Sequence, residues 1–172
     1  MKKNQNKFIW FGVVLAALIG FIWMARPTLQ SAPASPAEGL AKVGKNGALA
    51  AQENNYDFGA ISMAAGKVSK MFAIKNTGEA VLSVNQLYTS CMCTVATLKI
   101  GNRSAGPFGM PGHGFAQRIN ETIGPNEEAG VEVVFDPAAH GPAGVGRIER
   151  VVYLENSAGA PLELKISATV TP

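Results

Sequence analysis

The amino-acid sequence predicts an all-β domain, an antiparallel sandwich of about seven strands, preceded by one N-terminal transmembrane helix and a flexible linker. Three observations lead to this prediction. The range 8–25 carries no charge, the range 26–54 is rich in Pro, Ala, Ser and Gly, and the range 55–172 consists of short β-type runs separated by turn residues. Such spacing is typical of an antiparallel sandwich and not of alternating strands and helices.

The apolar range Phe8–Ala25 is predicted to span a membrane. A helix of this length, at ~1.5 Å per residue, nearly crosses the ~30 Å hydrocarbon core of a bilayer. Trp23 and Met24 are followed by Arg26, where a cleaved leader would place small residues. An uncleaved signal-anchor is favoured, and cleavage after Ala32 or Ala34 is the alternative.

Charge at the two ends of this span predicts its orientation. Lys2, Lys3 and Lys7 precede it, and only Arg26 follows it closely. Because basic residues stay on the cytoplasmic side, residues 1–7 are predicted to form a cytoplasmic tail. The protein is therefore expected in the cell membrane as a single-pass protein. Its C-terminal domain is expected to be extracytoplasmic, in the periplasm or at the cell surface.

Alternating apolar and polar residues predict the strands of the domain. In Leu162–Val170 every second residue is apolar, which is the pattern of a half-buried strand. Asn76–Glu79 and Asn156–Pro161 contain turn residues and are predicted to close hairpins, and Gly59 is predicted to mark a bulge or a close backbone approach. The seven predicted strands are 56–61, 68–75, 81–88, 94–100, 131–135, 148–154 and 162–170.

The net charge excludes a nucleic-acid role. The chain has a formal charge of +3, but Lys2, Lys3, Lys7 and Arg26 account for four of its 15 basic residues. The remainder of the chain therefore carries 11 basic against 12 acidic residues and is close to neutral. It lacks the basic stripe that tracks phosphates, so no nucleic acid is expected as a partner.

Cys91-Met92-Cys93 is the most unusual motif, because these are the chain's only two cysteines. In an extended segment, residues two apart project to the same face, so both sulfurs could hold a soft metal such as copper(I). Met110 and His113 lie in the glycine-rich range 106–115, which is predicted to be a loop that folds over the cysteines. The predicted metal ligands are Cys91, Cys93, Met110 and His113, with His140 a weaker candidate.

Two alternatives remain for the cysteine pair. In the first alternative, the two cysteines are buried structural thiols that bind no ligand. A disulfide across one residue would require a tight turn and would be easily reduced, which indicates redox activity. No nucleophile motif or carboxylate pair indicates catalysis, so the protein is expected not to be an enzyme.

The order of several motifs resembles a known bacterial family. These are Tyr56–Gly59, Phe72–Glu79, Leu82–Val84, Ser90–Thr94 and Ile123–Glu127, followed by Val131–Asp136. Together they are similar to the exported domain-of-unknown-function family numbered fifteen seventy-three. The resemblance implies an immunoglobulin-like fold related to the ASH and major-sperm-protein domains, often anchored to a membrane. The family reads Cys-Gly-Cys-Thr, and this chain departs from that pattern at Met92.

Two functions are therefore expected, in this order. The first is a non-enzymatic, membrane-anchored extracytoplasmic domain that interacts with proteins of the cell envelope. The second is a copper-binding or thiol-redox protein that uses Cys91 and Cys93.

Overall fold

A computed structural model describes residues 49–113 and 118–172, and these residues form two five-stranded β-sheets. Apart from the strands, the described regular elements are two short 3-10 turns, Met63–Ala65 and Gly141–Gly144. The all-β prediction is therefore confirmed. The strands are β1 (Leu49–Ala51), β2 (Asn55–Ser62), β3 (Val68–Asn76), β4 (Leu82–Thr89), β5 (Thr94–Ile100), β6 (Arg103–Phe108), β7 (Arg118–Ile123), β8 (Glu128–Phe135), β9 (Gly146–Asn156) and β10 (Leu162–Thr171).

The two sheets differ in how their strands pair. The first has the order β1-β3-β8-β5-β6 and is antiparallel throughout. The second has the order β2-β10-β9-β4-β7, and β2 runs parallel to β10, so the predicted antiparallel arrangement is wrong at this edge. The pairing of β2 with β10 slips by one residue around Gly59, which has a φ of +72°. This slip confirms the predicted bulge.

Alternation along the strands builds a dry interior between the sheets. In β10 the side chains of Leu164, Ile166, Ala168 and Val170 are all buried, as the sequence pattern predicts. Facing strands contribute the same kind of side chain, and burial of such apolar surface is the main stabilising term of a domain of this type. The largest fully buried side chains include Phe72, Ile74, Leu87, Leu98, Ile123, Leu154, Leu164 and Ile166.

The seven predicted strands correspond to β2, β3, β4, β5, β8, β9 and β10, and the described residues contain three more. The predicted strand number is too low because β1, β6 and β7 lie at sheet edges and lack a long alternating pattern. β6 occupies Arg103–Phe108 and takes in part of the predicted loop 106–115. Pro107 has no N–H, which an edge strand tolerates because one side of its backbone needs no partner.

The predicted hairpin at Asn76–Glu79 is wrong. β3 lies in the first sheet and β4 in the second, so the chain crosses between the sheets at this turn. Buried Asn76 holds the crossing, because its Nδ2 lies 2.8 Å from the Ala80 carbonyl oxygen and 3.0 Å from those of Ile123 and Gly124. By contrast β9 and β10 pair directly, which confirms the hairpin at Asn156–Pro161.

One strand lies within the range that was predicted to be linker. β1 pairs with β3 and is buried at all three of its residues, although it falls within the range 26–54 assigned to the linker. The predicted tail 1–7, the predicted span 8–25 and the rest of the linker lie outside the described residues. Within 49–113 and 118–172, no helix has the length and hydropathy that crossing a membrane requires.

Asn76→Ala is expected to destabilise the domain by about 2–3 kcal/mol, because three carbonyl groups at the crossing lose their donor and the bond to the Ile123 carbonyl is buried. Denaturant unfolding of the purified protein measures this. Asn85→Ala is the matched control, because Asn85 is exposed on the neighbouring β4. Equal unfolding free energies for the two variants would contradict the role given to Asn76.

Candidate thiol and metal site

The two cysteines lie where the chain crosses from the second sheet to the first, between β4 and β5. The predicted extended conformation of this motif is wrong, because the segment forms a tight turn. The Thr94 N–H donates to the Cys91 carbonyl oxygen at 3.2 Å, which closes the turn around Met92 and Cys93. Both sulfurs therefore reach one place through the turn and not through strand alternation.

Hydrogen bonds fix this turn to its surroundings. The Thr89 hydroxyl lies 2.9 Å from the carbonyl oxygens of both Cys91 and Thr94. The Cys93 carbonyl oxygen accepts the Asp136 N–H at 2.8 Å, and Ser90 N–H donates to the Val151 carbonyl oxygen at 2.8 Å. The turn is thus bonded to the end of β8 and to the middle of β9, one strand of each sheet.

The turn does not require glycine at Met92, the position at which the sequence departs from the Cys-Gly-Cys-Thr pattern that it resembles. Among the described residues, Asn126 is the non-glycine residue with a positive φ, so Met92 has an ordinary backbone conformation. Its side chain is 50 % exposed. The substitution of Met for Gly therefore leaves the convergence of the two cysteines intact.

The two sulfurs are in close contact but are not bonded covalently. Cys93 Sγ lies 2.6 Å from Cys91 Sγ, longer than the ~2.05 Å of a disulfide, and both cysteines are free. The Cys93 N–H also points to Cys91 Sγ, at 3.5 Å. Cys93 is buried, with 3 % exposure, whereas Cys91 is partly open to solvent.

His140 approaches Cys91 from the loop that follows β8. Two backbone bonds fold this loop, from Ala139 N–H to the Asp136 carbonyl oxygen and from Gly141 N–H to that of Ala138. Gly141 has a φ of +55°, a conformation that favours glycine, and it turns the chain directly after the histidine. The result is a distance of 3.1 Å between His140 Nε2 and Cys91 Sγ.

Arg150 completes the site from β9, and the sequence interpretation missed it. Its neighbours two residues away, Ile148 and Val152, are buried, so alternation gives Arg150 an inward-facing position. Its Nε donates to Cys93 Sγ at 3.2 Å, and its Nη1 donates to the Glu149 carbonyl oxygen at 2.8 Å. A charged residue on the apolar side of an alternating strand was the signal that could have identified it.

These contacts make the two thiols electrostatically unequal. Burial alone would raise the pKa of Cys91, but hydrogen bonds from Cys93 and His140 and the positive charge of Arg150 outweigh it and lower that pKa to about 7. Burial raises the pKa of Cys93, and its hydrogen bond to Cys91 raises it further. When the pair loses its first proton, the negative charge therefore lies mainly on Cys91 Sγ, the more accessible sulfur.

The predicted ligand set is only partly brought together. Among the described residues, the group of His, Cys, Asp or Glu side chains able to hold a metal is Cys91, Cys93 and His140, with donor atoms within 4.8 Å of one another. His113 is exposed and lies outside this group. Met110 is half-buried in a loop that begins beside the site, because the Gly109 carbonyl oxygen accepts the Thr89 N–H at 3.2 Å.

The assembled groups can perform two kinds of chemistry. Two sulfurs and an imidazole nitrogen are donors that soft metal ions prefer. A thiol of lowered pKa beside a second thiol is also the arrangement of a nucleophile and a resolving group. The carboxylate of Asp136, in the loop that carries His140, instead accepts the Ala138 N–H at 2.9 Å and lies 3.9 Å from Lys67 Nζ.

Comparison with solved structures agrees with the fold. A protein of unknown function from Porphyromonas gingivalis W83 is 14% identical, with a TM-score of 0.53 over 72% of this chain and 46% of that one. This chain therefore spans less than half the length of that protein. The ASH/PapD-like domain 7 of human CEP192 is 11% identical, with a TM-score of 0.46 over 85% of this chain and 98% of that domain.

Comparison of sequences gives a family match to part of the chain. A search of curated proteins gives no match to this chain. Residues 49–106 match the model of the family described as "Protein of unknown function (DUF1573)", a segment that contains both cysteines but neither His140 nor Arg150. The resemblance to the family numbered fifteen seventy-three is therefore confirmed over this segment.

Proposed function

We propose that this chain is a membrane-anchored, extracytoplasmic β-sandwich protein that binds copper(I) through Cys91, Cys93 and His140. One observation supports this best: the three donor atoms lie within 4.8 Å of one another. A small rearrangement of these side chains is enough to surround one ion. The ligand set differs from the sequence prediction in using His140 in place of His113.

The chemistry of the donors favours copper(I) over other ions. Calcium and magnesium prefer oxygen ligands, which are missing from this group. Structural zinc sites use four protein ligands, whereas the described group has three. Thiolate sulfur is a preferred donor of copper(I), and two of the three donors in this group are cysteine sulfurs.

Charge balance supports a monovalent ion. Two thiolates, one neutral imidazole and one copper(I) carry a single net negative charge, and Arg150 Nε lies 3.2 Å from Cys93 Sγ. The guanidinium group therefore neutralises a copper(I) complex. A zinc(II) complex with the same ligands would already be neutral. The positive charge of Arg150 would then have no negative charge beside it to balance it.

The proposed location follows from the N-terminal sequence. Phe8–Ala25 is long enough to anchor the chain, and the lysines before it favour a cytoplasmic N-terminus. Free thiols in an extracytoplasmic compartment are open to oxidation. A bound metal ion would protect them, which agrees with a metal-binding role for the pair.

Interaction with cell-envelope proteins is the second candidate. The observation in its favour is β6, which ends its sheet and is exposed at most of its residues. An unpaired strand edge can accept a strand from a partner protein. Partner binding at β6 would survive loss of the thiols, so cysteine variants separate this function from copper binding.

The full-length reduced protein, purified in detergent, is expected to bind one copper(I) per chain in competition with a chromophoric chelator. Cys93→Ser and His140→Ala should each weaken binding at least about tenfold, because losing a ligand costs no less than losing its supporting residue. His113→Ala and Met110→Leu are the controls and should bind as the wild type does. Weaker binding by His113→Ala with unchanged His140→Ala would restore the ligand set predicted from sequence and refute this one.

Anchoring and orientation are tested on spheroplasts of cells that make a doubly tagged protein. A C-terminal tag should be removed by added protease and an N-terminal tag should be protected, because the chain crosses the membrane once. The protein should also remain with membranes after an alkaline wash, whereas cleavage after Ala32 or Ala34 would release it. A protected C-terminal tag would contradict the proposed topology.

A further inference from the structure

The two cysteines differ in their access to solvent while their sulfurs are in contact. Cys91 is partly exposed, Cys93 has 3 % exposure, and their Sγ atoms are 2.6 Å apart. A molecule arriving from solvent can therefore reach Cys91 first. Cys93 can then reach whatever is attached to Cys91 without any change in the fold.

We propose that the metal-free Cys91–Cys93 pair performs thiol–disulfide exchange with small-molecule disulfides, with Cys91 as the attacking thiol and Cys93 as the resolving thiol. This activity is distinct from copper binding and does not depend on it. Both functions use the same two sulfurs, so a chain that holds a metal ion cannot perform the exchange.

The reaction balances in two steps. The Cys91 thiolate attacks one sulfur of the small disulfide, a mixed disulfide forms on Cys91, and the other half leaves as a thiolate that takes up a proton. Cys93 then loses its proton and attacks Cys91 Sγ, which expels the second half as a thiol. The protein dithiol is oxidised to a Cys91–Cys93 disulfide, and one small disulfide is reduced to two thiols.

The turn makes the internal disulfide possible. Closing a bond across one intervening residue requires the two Cα atoms to lie within ~4.4–6.8 Å. The turn closed by the Thr94 N–H and the Cys91 carbonyl oxygen folds the backbone back between the cysteines, which an extended segment does not do. The sulfurs then meet at bonding range after a small movement.

Two neighbouring side chains position the reacting sulfurs. Arg150 Nε, 3.2 Å from Cys93 Sγ, fixes the position of the resolving sulfur, which lies at the margin of the buried core. His140 Nε2, 3.1 Å from Cys91 Sγ, contacts the attacking sulfur and holds it beside Cys93. Both residues lie outside the segment that matches the family model.

A tight disulfide of this kind is expected to be transient. A bond closed across one residue strains the turn, and strained disulfides are more readily reduced than relaxed ones. The oxidised protein can therefore pass its disulfide to another thiol. The pair would exchange disulfides in both directions and would not serve as a permanent cross-link.

Exchange is tested with the reduced full-length protein in detergent, with a metal chelator present and glutathione disulfide as the probe. The wild type is expected to release two glutathione molecules per chain and to end without bound glutathione, as measured by mass spectrometry. Cys93→Ser should release one and retain the other on Cys91. Cys91→Ser should react at least about tenfold more slowly than Cys93→Ser, because its remaining thiol is buried.

Several outcomes would overturn the proposal. A wild-type chain that stops at the mixed disulfide would show that Cys93 does not resolve it. Equal rates for Cys91→Ser and Cys93→Ser would show that access does not order the two steps. The wild-type result tests whether Cys93 resolves the mixed disulfide even if a variant unfolds. Because the chelator keeps the protein metal-free, a failure of exchange is distinguishable from a failure of copper binding.

Discussion

The site depends on one constraint, the turn by which the chain leaves the second sheet after β4 and enters the first sheet at β5. The Thr89 hydroxyl contacts the carbonyl oxygens of Cys91 and Thr94, and the backbone of the same turn bonds to β9 and to the end of β8. Strands from both sheets therefore determine where the two sulfurs lie. The rigidity of the sandwich is transmitted to the cysteines through the backbone.

Arg150 connects the site to the energetics of the core. A cation at an inward-facing position between Ile148 and Val152 would be costly to bury without a partner. Cys93 Sγ supplies that partner, and the Glu149 carbonyl oxygen accepts a second hydrogen bond. The positive charge of Arg150 in turn favours the thiolate forms of the two cysteines. The residue that interrupts the apolar face of β9 therefore also promotes ionisation of the thiols.

Strand prediction from the sequence succeeded where a strand has one buried and one exposed face. β10 alternates over its full length, and its inward side chains were identified correctly. β6 could not be recognised in this way, because an edge strand containing Gly106 and Pro107 has no such pattern. The crossing at Asn76 was also missed, since a turn sequence does not reveal whether the strands beside it share a sheet.

The residues of the site were also predicted only in part from the sequence. Cys91 and Cys93 were found from their spacing alone, although the reason given, an extended segment, was wrong. His140 was undervalued because it is far from the cysteines in sequence and approaches them only through the folded loop after β8. Arg150 could have been recognised, because it interrupts the apolar face of an otherwise regular strand.

The most direct measurement is an ultraviolet thiolate titration of the metal-free, reduced protein. If the turn, His140 and Arg150 converge as described, the first thiol should ionise with a pKa of about 7, and Cys91→Ser should abolish this transition. Below that pH the Cys91 thiolate takes up a proton, and above it the thiolate persists. Two thiols that both ionise near the ordinary value of about 8.5 would contradict the convergence on which the account depends.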